Sequence, residues 1–279
     1  MELIHTVFDA LRVHLKGPLT VKELPFTAAN EASMRHYAEE PSNFDGDQFR
    51  GSLWRDPAAE RRHYQLAGVH TLLTVGHKAP SAKLLGVMAG VLAAMGSGKH
   101  YTIYWFMSDE PRLFPSGRVV GPLNVNGGYC RACAPETIVI YRREDALRVL
   151  IHELQHACCL DNHKMSVPQL EAITEAWAEL IYAMVGAVVH RLRPEVAWRI
   201  QTAWSAAQNR RLSAEFGVTG PAAYAWRHTV GKEEVWRAMN LPVAPPAQVT
   251  GPCKGPLSVG LFPTVTESLQ LGAPQLDVA

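Results

Sequence analysis

Read for its hydrophobic and polar pattern, the chain alternates between stretches of helical period and a few short continuous apolar runs. Leu3, Val7, Leu11 and Leu15 recur at helical spacing near the N-terminus, separated by His, Asp, Arg and Lys. The first eighty residues otherwise mix short periodic pieces with turn signals such as Asp45-Gly46. Residues 81–95 predict a helix with a wide apolar face, stopped at Gly96. The run HYTIYWFM that follows is aromatic and β-branched and predicts a buried strand. Residues 123–130 (LNVNGGYC) predict a short strand at a Gly-Gly turn, and residues 137–142 (TIVIYR) a second strand.

From there the period changes. Leu147, Leu150, Ile151, Leu154 and Ala157 follow helical spacing, with Glu144 and Asp145 in the first turn, where negative charge suits the helix dipole. Ser166 and Pro168 open another helix that continues to about residue 192. Pro194 breaks it, and a further helix runs over 195–214, with shorter helical pieces over 222–228 and 233–239. The pattern is α+β: a small mixed sheet and its helices first, then a mostly helical second half. The expected division is 1–165 for a lobe with the sheet, 166–240 for a helical lobe, and 241–279 for a Pro/Gly-rich tail nearly free of charge, all forming one unit.

Composition narrows the function classes. A net charge of +1 gives no electrostatic reason to expect nucleic acid or an anionic membrane as partner. Arg61-Arg62-His63 and Arg142-Arg143 are short enough to read as solvated surface. The N-terminus lacks the features of a secretory signal, and residues 84–95 are too short to span a bilayer, so a cytoplasmic protein is expected. Five cysteines, odd in number and sparse, are expected as ordinary thiols, including the CxxC of Cys130 and Cys133 and the pair Cys158-Cys159. Oligomeric state is open.

The chemistry concentrates in His152-Glu153-Leu154-Gln155-His156, an HExxH in the middle of a helix that follows a strand. Histidines four apart lie one above the other, so their rings can converge on one ion, while Glu153 stands close enough to take a proton from a bound water. On the next helix, Glu171, Glu175 and Glu179 lie at i, i+4 and i+8. Like charges at that spacing repel unless a cation sits nearby. Tyr224 and His228, four apart in the second half, are candidate donors to a developing oxyanion.

These motifs resemble the gluzincin metallopeptidases, HExxH enzymes whose third ligand is a glutamate on a following helix. The resemblance spans roughly residues 121–180, about a fifth of the chain. Eighteen residues separate His156 from Glu175, a spacing that several of these families share. The resemblance therefore implies a zincin-like fold and one Zn2+ per chain, with His152, His156 and Glu175 as ligands. It implies Glu153 as general base, Glu179 as support for a ligand histidine, and a peptide or protein substrate paired with an edge strand near residues 123–128. Glu171 is the competing third ligand, with Glu175 then moving behind it. Thr174 stands where thermolysin-like members have Asn, and the Gly-Ala-Met-Glu-Asn motif of the aminopeptidases is absent. Two other readings stand beside this one: a catalytically inactive zincin-fold module that binds peptides or proteins, and a structural site closed by His163 or by a cysteine of the 158–159 pair.

Overall fold

The computed structural model describes residues 1–17, 20–42, 45, 48–96, 98–110, 112, 114–117, 119–143, 145–162 and 164–245. Most of the Pro/Gly-rich tail, His163 and Glu144 lie outside the described residues. The architecture is mixed α+β, with a six-stranded sheet in the order β1-β2-β3-β4-β6-β5 and a helical C-terminal region.

The chain opens with α1 (Glu2–Lys16) and β1 (Val21–Leu24), then α2 (Ala28–Glu39), capped by a reciprocal pair of bonds between Thr27 and Asn30. After α3 (Phe49–Arg55), strands β2 (Glu60–Leu66) and β3 (His70–Gly76) form an antiparallel hairpin, with β1 antiparallel on its outer side. Helix α4 (Ala82–Met95) crosses to β4 (Thr102–Phe106), parallel to β3, and β6 (Ile138–Ile140) lies parallel to β4.

Both faces of the central strands are covered, which is why β4 reads as a continuous apolar run. Ile103 and Trp105 pack with Ile138 and Ile140 against α4 and the later helices, while Tyr104, Phe106, Val139 and Tyr141 pack against Met34, Ala38, Leu53 and Trp54 of α2 and α3. The first of these clusters runs without a break into the helical half, taking in Leu180, Tyr182, Trp198 and Trp236. One core therefore serves both expected lobes.

The segment before the HExxH helix differs from expectation. Residues 122–125 form a helical turn, α5 (Pro122–Val125), where Pro122 presets the helical φ and the Asn124 side chain accepts from Gly121 N. The edge strand β5 (Gly128–Cys130) begins only after it and pairs antiparallel with β6. Nor is Arg142 solvated surface: it is 2% exposed and donates to the carbonyls of Glu110, Leu123 and Asn126. Together with buried Arg112, which donates to Val125 O and pairs with Asp145, it fixes the loop that leads into β5.

Helix α6 (Ala146–Ala157) follows β6, and α7 (Val167–His190) packs across it. Ser166 and Gln169 form the capping box that starts α7. Among the described residues, α7 is long and apolar enough to cross a membrane by length and composition alone, and here it is a largely buried core helix. It is followed by α8 (Pro194–Phe216), a 3-10 turn over Tyr224–His228, and α9 (Val230–Ala238).

Candidate metal centre

All twelve residues of α6 are buried, among them Arg148, His152, Glu153, Gln155 and His156. Polar groups held out of water in this way need partners, and the partners define the site. His152 and His156 are one helical turn apart, and their Nε2 atoms stand 3.1 Å from each other. Glu171, in the first turns of α7, brings Oε2 to 3.3 Å from His152 Nε2 and 3.7 Å from His156 Nε2. A tetrahedral ion bound at about 2.0–2.1 Å sets its ligands roughly 3.3 Å apart. The three separations bracket that value, so these donors fit a metal ion without rearrangement. Among the described residues no further His, Cys, Asp or Glu joins the group.

The other ring nitrogen of each histidine faces a carboxylate. His156 Nδ1 donates to Asp161, with both carboxylate oxygens within 2.8–2.9 Å, and Glu175 Oε2 lies 2.7 Å from His152 Nδ1. Such outer contacts fix ring orientation and leave Nε2 for the metal. Glu175 is in turn held by a short contact with Arg148, itself one turn before His152 on α6. The structure thus gathers Glu171, not Glu175, beside the two Nε2 atoms. The physical reason is register. Along α7 the Glu171 carboxylate comes up to Nε2 of both histidines, and the Glu175 carboxylate, one turn later, comes up to Nδ1 of His152.

Glu179 also departs from expectation. It is fully buried, pairs with Lys232 Nζ at 3.0 Å and accepts from Gln201, touching neither histidine. Two turns along α7 from Glu171, the stripe has passed α6 and faces α8 and α9 instead.

The electrostatics follow from burial set against these contacts. Burial opposes charge on His152, but Glu171 and Glu175 outweigh it and raise the ring's pKa well above the usual histidine value. Burial likewise opposes charge on Glu175, yet Arg148 and His152 hold that carboxyl well below the ordinary range. Glu153, which lines the cleft beside the histidines, has its pKa raised by burial, with His152 and His156 pulling the other way.

The cleft above this group has a volume of about 390 Å³. Strand β5 with Asn126, helix α6, the start of α7, and Tyr224, Arg227 and His228 of the 3-10 turn line it. Tyr224 Oη and the Asn126 side chain exchange hydrogen bonds at 2.9 and 3.0 Å, so the helical half is tied to the entry of β5. The His228 ring lies 6.2 Å from that of His152, and burial lowers its pKa to about 4, which keeps it neutral. Both candidate donors therefore face the cleft, on a 3-10 turn.

Four contributors are absent from the sequence expectation: Arg148, Asp161, Asn126 and Arg227. Arg148 had a readable signal, since it lies four residues before His152 on the same helix face. The others reach the site through loop and turn geometry that has no local signature. The cysteines correct a further expectation, because Cys133 and Cys159 are joined in a disulfide, leaving Cys130 and Cys158 as the thiols among the described residues. That bond ties the loop after β5 to the end of α6. The His156 carbonyl there accepts from the backbone N–H of both Cys133 and Cys159.

No family model matches the chain, and no curated protein or solved structure matches it either.

Proposed function

We propose that this protein is a zinc-dependent hydrolase of peptide bonds, with the ion held by His152, His156 and Glu171 and with Glu153 as general base. The observation that carries the reading is the set of three separations among the donor atoms, 3.1, 3.3 and 3.7 Å, at the edge of a cleft that also holds a buried carboxyl. Two imidazoles and one carboxylate suit zinc better than magnesium or calcium, which take oxygen ligands. Three protein ligands leave a position free, as hydrolytic zinc sites require. A zinc ion held there supplies Lewis acidity and lowers the pKa of a coordinated water to roughly 7.

The chain's own residues account for the remaining steps. Glu153 accepts the proton of the attacking water and delivers it to the leaving amine, a role served by a carboxyl whose pKa burial has raised above the ordinary carboxylate value. His228 Nε2 is buried and without a hydrogen-bond partner in the structure, which supports its use as a donor to the developing oxyanion. Strand β5 ends the sheet, so its outer edge suits pairing with extended substrate backbone. The resemblance to gluzincins is compatible with this arrangement once the third ligand is moved one turn toward the start of α7.

The test is a Glu153→Gln variant assayed on a peptide library alongside a zinc measurement. Cleavage by the wild type, lost at least 1000-fold in a variant that still binds one zinc, is expected. Undiminished cleavage by the variant would remove Glu153 from the mechanism. Zinc binding with no hydrolysis of any peptide by the wild type would favour a non-catalytic binding module.

A further inference from the structure

Two arginines line the cleft, Arg148 and Arg227, and they differ in one respect. The guanidinium of Arg148 is neutralised by Glu175. That of Arg227 lies over the Tyr224 ring, 4.6 Å from its centroid, and makes no ion pair with any carboxylate among the described residues. Its Nε is buried and has no acceptor. The ring contact stabilises the charge but consumes none of the five guanidinium donors. The side chain is part-exposed, so its remaining donors are open to a group that enters the cleft.

Of the other carboxylates lining the cleft, Glu171 faces the two histidines, Glu175 faces Arg148 and His152, Asp161 accepts from His156, and Glu153 stands beside the histidines without an ion pair to Arg227. Tyr224, Arg227 and His228 line the same cleft beside the Tyr224–Asn126 hydrogen bonds, and Arg227 brings to it a positive charge with no ion-pair partner among the described residues.

Resting on the hydrolase reading above, we propose that Arg227 is a specificity-determining residue that binds a carboxylate of the peptide substrate. A planar fork of donors beside an apolar ring matches a carboxylate in two-point contact. That carboxylate belongs either to the peptide's C-terminus, which would make the enzyme an exopeptidase, or to an Asp or Glu side chain.

The experiment uses zinc-loaded Glu153→Gln protein, which binds without turning over, and three hexapeptide pools titrated by calorimetry. One pool has free C-termini and no acidic residues, the second is its C-amidated counterpart, and the third is amidated with Asp or Glu at one position. Binding of the first or third pool about 10- to 100-fold tighter than the second is expected. A preference for the first assigns the chain terminus, and one for the third assigns a side chain. Adding Arg227→Met, which keeps the stem on Tyr224, should erase the preference, and Arg227→Lys should restore part of it. Circular dichroism and zinc content verify that both variants are folded. Equal binding of all three pools, or a preference that survives Arg227→Met, overturns the assignment while leaving the hydrolase reading intact. No binding of any pool overturns the hydrolase reading and this inference with it.

Discussion

Glu171 and Glu175 stand four residues apart on one helix and hold different atoms of the same histidine: Glu171 approaches His152 Nε2 and Glu175 approaches Nδ1. The consequence for substitution is a graded loss. Removing Glu171 takes away a direct donor, whereas removing Glu175 loosens the His152 ring, an effect typically of 10–100-fold in metal affinity. Competition titration with a chelating dye should therefore rank Glu171→Ala as the weaker binder of the two. Away from the site, His70 gives a pH-dependent prediction. Burial, with neighbouring His100, lowers its pKa to about 4, and its Nδ1 accepts from Tyr101 N. Its folded value lies below the unfolded value of roughly 6.5, so the unfolded chain binds the proton first. Stability from this group is complete above about pH 6.5 and is lost as the pH falls toward 4. The loss is on the order of 2 kcal/mol. Urea titrations at pH 7 and pH 4.5 should show a smaller difference for His70→Asn, which keeps an acceptor for Tyr101, than for the wild type; equal differences would contradict it.

At the scale of elements, the ion pair between Glu179 on α7 and Lys232 on α9 is fully buried and joins the helix carrying Glu171 to α9. Burial alone pushes the Glu179 carboxyl above its usual range, and Lys232 opposes that shift. Lys232→Met leaves an uncompensated buried carboxylate and should cost about 3–5 kcal/mol. Adding Glu179→Leu should recover much of it, a pattern that thermal melts of the single and double variants would reveal. Element order was largely legible in the sequence where the apolar period was strong, as in α4, β4, α6, α7 and α8. It was hidden where polar residues fill a strand or a turn uses an unexpected residue. Strand β2 carries Arg61, Arg62 and His63, and the turn into β3 places Ala67 at φ 50°, a conformation usually signalled by Gly or Asn. The Cys133–Cys159 disulfide was equally illegible, since only the packing of the β5 loop on the end of α6 brings those residues together. Peptide mapping without reduction should recover the two cysteines linked; two free thiols would contradict the pairing.

For the molecule as a whole, the continuous core explains how a sheet and a helical bundle with separate sequence signatures create one cleft between them. The sheet side supplies β5 and Asn126, α6 supplies the histidines and Glu153, α7 supplies Glu171, and the 3-10 turn supplies Tyr224, Arg227 and His228. The HExxH and the acidic stripe were visible as patterns on single helices, because four-residue spacing alone defines a helix face. Which carboxylate stands beside the two Nε2 atoms was not, because it depends on the crossing of α6 and α7, a tertiary quantity. The spacing favoured Glu175, whereas the structure places Glu171 beside the two Nε2 atoms and Glu175 beside Nδ1 of His152. The central claim is that His152, His156 and Glu171 together hold one zinc ion, with Glu175 behind them. Zinc stoichiometry and affinity, measured on the wild type and on His156→Ala, Glu171→Ala and Glu175→Ala proteins purified without added metal, test it most directly. One zinc per wild-type chain, lost from the first two variants and retained with reduced affinity by the third, is the expected result. Zinc lost from Glu175→Ala but kept by Glu171→Ala, or no zinc in a folded wild type, would contradict the account.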